Sequence, residues 1–338
     1  MKIGIIITPE RNKEKIIKAL QEEKVDYEFI NLLDNDWFES FQGQFSGYLI
    51  YPPSYPYEWM NVFFKRLYYV QHLIKDKSTP SLETISMYES KIAMHDFYKV
   101  HNIPHVTSYT FYNFQDALEY GHGCTLPVVV KEDAGSGATG VNIIKKRSEL
   151  IKKIKKSFYF NNKSKRKFNI YNLKLKLYPF KIALDTKWNY LPFAPKRMGF
   201  IHIQKYNKVK YEWRIIRIGD SYFGHKKLED SDGYHSGTLN KGWGPIPYEI
   251  LNLVKEVSNR THLDNANFDI FETQNGELYF NEIQAIFGTS TEEQLIIKKT
   301  PGRYIYEGSN WKFEPGDFSK NGCNNLRLKY IFEIINHK

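Results

Sequence analysis

Cysteine is nearly absent from this chain of 338 residues: Cys124 and Cys323 stand alone, at a spacing that suits neither a zinc site nor a disulfide framework. A reduced, cytoplasmic setting is therefore expected. No apolar run approaches the roughly 18 residues of a spanning helix, and the start, Met1-Lys-Ile-Gly-Ile-Ile-Ile-Thr, is too short for a signal peptide and reads as a first buried strand. Missing too are the P-loop G-x-x-x-x-G-K-[ST], the H-R-D and D-F-G segments of protein kinases, and any zinc or recognition-helix pattern for sequence-specific nucleic-acid binding. There is no internal repeat and no low-complexity linker. The length suffices for a substantial core divided into two or three subdomains.

What is present begins at Leu126, where P-V-V-V-K-E-D-A-G-S-G-A-T-G-V gives an apolar strand, Lys131 at its end, and then Gly135, Ser136, Gly137 and Gly140. The spacing fits G-x-G-x-x-G. A dinucleotide fold, however, needs a helix opening at the loop and an acid about 20 residues on. Here Val141-Asn-Ile-Ile-Lys-Lys alternates like a second strand, and the region near residue 160 is Phe-Tyr-Phe-Asn-Asn. A glycine hairpin whose backbone amides lie over a triphosphate is the better reading; a turn that merely requires glycines is the plainer alternative.

A second constellation lies at Asn267 to Gly288, where Asn275-Gly276 signals a two-residue hairpin between alternating runs. Asp269 and Glu282 are then expected on paired antiparallel strands, with Gln284 facing the same side as Glu282. That oxygen-rich set suits Mg2+, which takes one or two carboxylates and completes its shell from substrate phosphates and water. A hairpin with a charged outer face is the alternative. Upstream, alternation of Trp213, Ile215 and Arg217 against Arg214, Ile216 and Ile218 sets Arg214 on a partly apolar face, where a charge wants a partner.

The first hundred residues alternate as an open α/β layer does. Strands are expected at Lys2–Thr8, Tyr27–Leu32 and Gly47–Tyr51, with helices at Glu10–Lys24 (Ile16, Ile17 and Leu20 inward), Glu58–Leu73 and Thr84–His101. Ser148 to Phe158 reads as an amphipathic helix with a serine cap and Ile151, Ile154 and Phe158 on one face. It opens a basic segment: residues 145–181 carry 14 Lys and Arg against one acid, so the rest of the chain, whose total is +10, sums to −3. Such a segment is either a solvated surface or an attractor of an anionic acceptor, such as a nucleotide-linked sugar, an acidic glycan, a membrane surface or nucleic acid.

Taken together, the two constellations resemble the ATP-grasp superfamily from about Ser90 onward, in the family's order of motifs. The resemblance implies an α/β fold with α+β subdomains: an N-terminal Rossmann-like pre-ATP-grasp domain at 1–88, a lid subdomain at 89–205, and a C-terminal subdomain with the metal site at 206–338. It implies ATP and Mg2+ as ligands. Lys91 and Lys131 would meet the α- and β-phosphates, beside Gly135, Ser136, Gly137 and Gly140. Gln204-Lys205-Tyr206-Asn207 would be the hinge that reads adenine, with Lys205 where a glutamate is common. Glu212 would take the ribose hydroxyls, Arg214 and Lys227 the γ-phosphate, and Asp269 and Glu282 the metal, with Gln284 standing where the family usually has asparagine. The implied activity is that of an ADP-forming carboxylate-amine ligase; a phosphotransferase and a regulatory ATP-binding module are the alternatives. His235-Ser236-Gly237 and Gly288-Thr289-Ser290 flank these motifs as candidate acceptor-binding turns. Association as a homodimer is compatible with the resemblance.

Overall fold

The computed structural model describes residues 1–54, 56–135, 140–158, 199–228, 241–289 and 292–336. Strand β1 (Lys2–Ile7), helix α1 (Glu14–Glu22), β2 (Asp26–Ile30), β3 (Gly47–Tyr51), α2 (Tyr57–Ile74) and β4 (Ser78–Thr79) form a parallel sheet of order β2-β1-β3-β4 with its helices. A parallel strand covered on both faces must be apolar almost throughout, as β1 is. Ile3, Ile5 and Ile7 pack toward α1, whereas Ile6 turns to the opposite face with Ile30, Ile50 and Phe63 of α2. Gly4 lies under the Tyr48 ring, where a Cβ would come within 2.7 Å of Cδ1.

Two helices of the first hundred residues differ from expectation. α1 starts at Glu14 rather than Glu10, and its inward face is Ile16, Ala19 and Leu20, with Ile17 half-buried. The preceding residues are held as a loop instead: Arg11 donates to the Pro52 carbonyl and, at 2.8 Å, to the Tyr88 hydroxyl. The helix expected over 84–101 is two, α3 (Leu82–Ser86) and α4 (Lys91–Val100). Between them Glu89 is left-handed, with φ 55°, and Ser90 caps α4 by accepting from the Ala93 amide. Asp133 reinforces that start, accepting from the Ile92 amide at 3.1 Å and the Ser90 hydroxyl at 2.8 Å. A cap tied to a distant loop thus overrides a continuous helical pattern.

Next come β5 (Ser108–Phe111), α5 (Phe114–Gly123), β6 (Val128–Lys131), β7 (Val141–Ile144), α6 (Arg147–Phe158) and β8 (Ile201–Lys205), whose strands form an antiparallel sheet of order β5-β8-β6-β7. Val128, Val130, Ile201 and Ile203 pack on the two helices, leaving Val129, Lys131, His202 and Gln204 on the other face. α6 starts one residue before Ser148, which is therefore not its cap; Leu150 and Ile154 point inward, with Ile151 and Phe158 half-buried. Arg147 fixes this start by donating to the carbonyls of Gly121 and Cys124.

The remainder is built on a second antiparallel sheet: β9 (Val209–Ile218), β10 (Ser221–Lys227), β11 (Lys241–Gly242), β12 (Asn265–Thr273), β13 (Leu278–Gln284), β14 (Ile296–Ile297), β15 (Thr300–Glu307) and β16 (Asn310–Pro315). Its main order is β13-β12-β9-β10-β15-β14. Helix α7 (Tyr248–Thr261) packs Ile250, Leu251, Val254 and Val257 into a core with Trp213, Ile215, Phe223 and Phe268. The final helix, α8 (Asn324–Asn336), returns to the first sheet through Leu328 and Ile331. Cys124 and Cys323 are both free thiols. Among the described residues no helix is long and apolar enough to cross a membrane.

Candidate active site

The hairpin expected around Asn275-Gly276 is formed, with Gly276 at φ 81°, and it sets Asp269 directly opposite Glu282. Asp269 is in turn paired with Arg214 across β9, and Arg214 with His225 across β10, so Glu282, Asp269, Arg214 and His225 make one row over four strands. Lys227 and Glu212, also cross-strand partners, lie beside it. The Arg214 guanidinium donates to both Asp269 oxygens, from Nε at 3.0 Å and Nη2 at 2.9 Å. Lys227 Nζ donates to Asp269 Oδ2 at 2.6 Å and to Glu212 Oε1 at 2.7 Å. Asp269 is fully buried, and Glu212 and Lys227 nearly so.

A β-bulge completes this face. Glu282 pairs with Asp269 and Phe280 with Ile270, leaving Asn281 as an extra residue in β13. Phe280 and Ile283 can therefore both enter the core although three positions apart, while Asn281, Glu282 and Gln284 all look toward the site. Asn281 bridges the two sheets: its Oδ1 accepts from Lys131 Nζ at 2.9 Å, and its Nδ2 donates to Glu212 Oε1 at 3.3 Å. Gln284 donates to Glu282 Oε1 at 2.6 Å and accepts from the Glu89 amide at 3.3 Å.

On the facing side, Lys131 ends β6 and Lys91 opens α4, its Nζ donating to the Gly135 carbonyl at 2.9 Å. The β6–β7 hairpin closes through the Glu132 amide and the Gly140 carbonyl at 2.9 Å. Gly140 has φ 80°, and a Cβ there would meet Glu132 Cβ at 2.9 Å, so glycine is required on both counts. Gln204 is buried at the end of β8, and Lys205 and Tyr206 emerge to solvent beside it. The structure thus brings Lys91, Lys131, Gly135, Glu212, Arg214, Lys227, Asp269, Glu282 and Gln284 into a connected group, with Gly140 at the hairpin and Gln204, Lys205 and Tyr206 at the end of β8. Ser136, Gly137, His235-Ser236-Gly237, Ser290 and the basic segment beyond Phe158 lie outside the described residues.

The electrostatics follow from burial. Desolvation alone would raise the Asp269 carboxyl, but Arg214 and Lys227 overcome it and hold the group well below the usual carboxylate range. Burial likewise opposes the Lys227 charge, and Asp269 and Glu212 more than restore it. Lys131 is compensated only in part: burial, with Lys91 nearby, outweighs the pull of Glu282 and Glu212 and lowers it to about 8. Burial and the Glu282 charge raise Glu89 to about 7. His202, cross-strand partner of Lys131, is pushed by burial and by Lys131 down to about 3 and is therefore neutral.

The donor chemistry fits a hard divalent cation. Asp269, Glu282 and the Gln284 carbonyl offer oxygen, and Asn267, two residues before Asp269 on the same strand face, has a buried Oδ1 without a hydrogen-bond partner among the described residues. Among the described residues no three acidic, histidine or cysteine side chains converge as a cage. Two carboxylates completed by phosphate oxygens are what Mg2+ ordinarily uses. The connected group holds four cations (Lys91, Lys131, Arg214, Lys227) against three carboxylates (Glu212, Asp269, Glu282), an excess that favours an anionic ligand. A polyphosphate entering this group would draw the cations to itself and free the carboxylates for a metal.

Sequence reasoning missed Asn281, Asn267 and His225. Asn281 carries a local signal, since a polar residue between Phe280 and Glu282 breaks the alternation, but only the register identifies a bulge. Asn267 shares the parity of Asp269 and was readable. His225 takes its place from pairing with Arg214 alone.

The sequence matches no protein-family profile and no curated protein. Solved structures do match. D-alanine–D-alanine ligase from Bacillus anthracis complexed with ATP superposes with a TM-score of 0.58 at 13% identity, over 100% of this chain and 99% of that one. A RimK domain ATP-grasp protein from Sphaerobacter thermophilus gives 0.54 at 10% identity, over 86% and 93%. The macrocyclase MdnC from Microcystis aeruginosa, bound with precursor peptide MdnA, gives 0.51 at 11% identity, over 85% and 92%.

Proposed function

We propose that this chain, whose fold is ATP-grasp, is an ATP-dependent ligase that activates a carboxylate as an acyl phosphate and joins it to an amine, releasing ADP and phosphate. One observation carries the reading: the row Glu282–Asp269–Arg214, with Lys227 and Glu212 beside it, is joined to Lys131 of the other sheet through Asn281. Two of the similar structures are, by name, a D-alanine–D-alanine ligase and a macrocyclase bound to a precursor peptide, which supports ligation over other uses of the fold. The free thiols suit a reducing cytoplasm.

In this reading the backbone at Gln204, Lys205 and Tyr206 takes the adenine edge and Glu212 the ribose hydroxyls. Lys91, Lys131 and the amides from Gly135 to Gly140 take the α- and β-phosphates. Asp269, Glu282 and Gln284 would hold Mg2+, which would supply charge neutralisation at the phosphates. Arg214 and Lys227 exchange their carboxylate partners for the γ-phosphate and stabilise the charge that develops there. The substrate carboxylate oxygen attacks the γ-phosphorus, and the bond to the bridging oxygen breaks to release ADP. The amine nitrogen then attacks the acyl carbon, phosphate departs, and the nitrogen's proton passes to solvent. No protein nucleophile is needed. An amino acid, a peptide terminus or a uronic-acid-type carboxylate fits the acid position, with peptide or surface-polysaccharide tailoring as the setting and the basic 145–181 segment drawing an anionic acceptor.

Hydroxylamine tests the mechanism. It opens a mixed anhydride, so with the correct acid it yields a hydroxamate in step with ADP and phosphate. AMP as the nucleotide product overturns the acyl phosphate; a stable phosphoester with no hydroxamate makes the protein a phosphotransferase.

A further inference from the structure

Beside the phosphate cleft lies a cavity of about 410 Å³ between α2 and the segments that carry Lys91 and Gly135. Tyr57, Phe64 and Tyr68 line it from α2, Tyr88 lines it from the break between α3 and α4, and Glu89 and Asp133 stand among its walls. The volume falls in the range of small-molecule sites, and five aromatic side chains stand in walls that also carry Asn61, Lys65, Glu89 and Asp133.

Three features orient it. Tyr88 is held rigid: it is 4% exposed, with its hydroxyl bonded to Arg11 at 2.8 Å and Ser54 at 3.0 Å. Tyr68, by contrast, is 66% exposed on a helix whose inward positions, Met60, Phe63 and Leu67, are already filled by the core, so its ring is not used in folding. Glu89 joins this cavity to the reaction centre. It lines the cavity with its own left-handed residue, its amide bonds Gln284, and the neighbouring Asp133-Ala134 leads into Gly135. The wall carries two acids, Glu89 and Asp133, against one base, Lys65, an excess of negative charge that favours a cation.

We propose that this cavity binds the amine co-substrate, and that the co-substrate is a primary amine on an aromatic body, its ring between Tyr68, Phe64 and Tyr88 and its ammonium toward Glu89 before it loses a proton and attacks. The proposal rests on the ligase reading for its purpose and stands apart from it as a binding site. Rings stacked on tyrosine and phenylalanine, and a cation among aromatic faces and carboxylates, are the contacts such a cavity makes best.

The test uses phenethylamine as probe and 3-phenylpropionate, of like shape and opposite charge, as control, with ligand-observed NMR on the full chain. Phenethylamine is expected to bind and phenylpropionate not. Tyr68→Ala is expected to weaken phenethylamine about tenfold, Tyr68→Phe to restore most of it, and Glu89→Gln to erase the preference for the amine. The exposure of Tyr68 makes unfolding an unsuitable explanation, and unchanged ATP binding by Tyr68→Ala checks this directly. Equal binding of amine and acid, or full affinity in Tyr68→Ala, overturns the proposal. Phenethylamine bound through Tyr68, in a protein that forms no hydroxamate with any acid, retains the cavity assignment and rejects the ligase.

Discussion

Asp269 is the residue on which the site turns, because both its oxygens are held by cations that the proposed reaction needs elsewhere. A triphosphate must therefore exchange partners with it rather than fill empty space. Lys131 enters that exchange with a weaker hold, through a neutral amide oxygen, and its effect belongs to binding. Lys131→Ala is expected to weaken ATP by at least about tenfold, the scale of a charge-assisted hydrogen bond of roughly 1.5–3 kcal/mol. Glu282→Ala is expected to leave ATP binding near normal and to abolish turnover, because a metal carboxylate matters most where charge develops. Calorimetric titration beside ADP release separates the two. Normal turnover in both variants removes the assignment. The Lys131 pKa near 8 also fixes a pH dependence. The ammonium that meets phosphate is present below that pH and is lost above it, so ATP affinity should fall as pH rises through about 8. Lys131→Arg, charged throughout, should flatten the fall; an unchanged profile in that variant places the titration elsewhere.

At the scale of elements, the bulge in β13 makes a testable distinction between fold and site. Because Asn281 is the unpaired residue, deleting it leaves Glu282 opposite Asp269, Phe280 opposite Ile270, and both apolar side chains in the core. The deletion should fold, with a melting temperature lowered by only a few degrees for about 1 kcal/mol, but Lys131 and Glu212 lose their bridge and ATP should bind more weakly. Deleting Ile283 instead moves Gln284 into the core face and should prevent folding, since a one-residue slip reverses every side chain beyond it. Thermal melts of the two deletions read this directly; equal tolerance of both means that the register of β13 does not organise the site.

For the whole molecule, the site joins parts distant in sequence: the β6–β7 hairpin, the start of α4 and the antiparallel sheet meet at Lys131, Asn281, Glu89 and Gln284. A ligand that spans them stabilises all of them together. MgATP at a hundredfold excess over its Kd should add about 2.7 kcal/mol, which for a chain of this length is several degrees in melting temperature. Chelating the metal should remove most of that gain, because ATP alone leaves Asp269 and Glu282 facing phosphate without compensation. A full shift in the presence of chelator contradicts the metal assignment.

Much of this was legible from local pattern. The Ile-rich β1 declared a buried strand, Asn275-Gly276 a hairpin, and the parity of Asp269, Glu282 and Gln284 a shared face; each depends on neighbours within a few residues, where backbone geometry is decisive. The break at Glu89 was not legible, because the helical pattern runs through it and only the distant Asp133, by capping α4, stops it. Nor was the place of Asn281, which depends on a register between two strands, or the pairing of Asp269 with Arg214 and Lys227 rather than with metal alone. The sequence by itself determined which residues carry charge and on which face of a strand they stand. Tertiary structure decided which of those charges meet, because a buried ion takes whatever partner the packing of three sheets brings within reach.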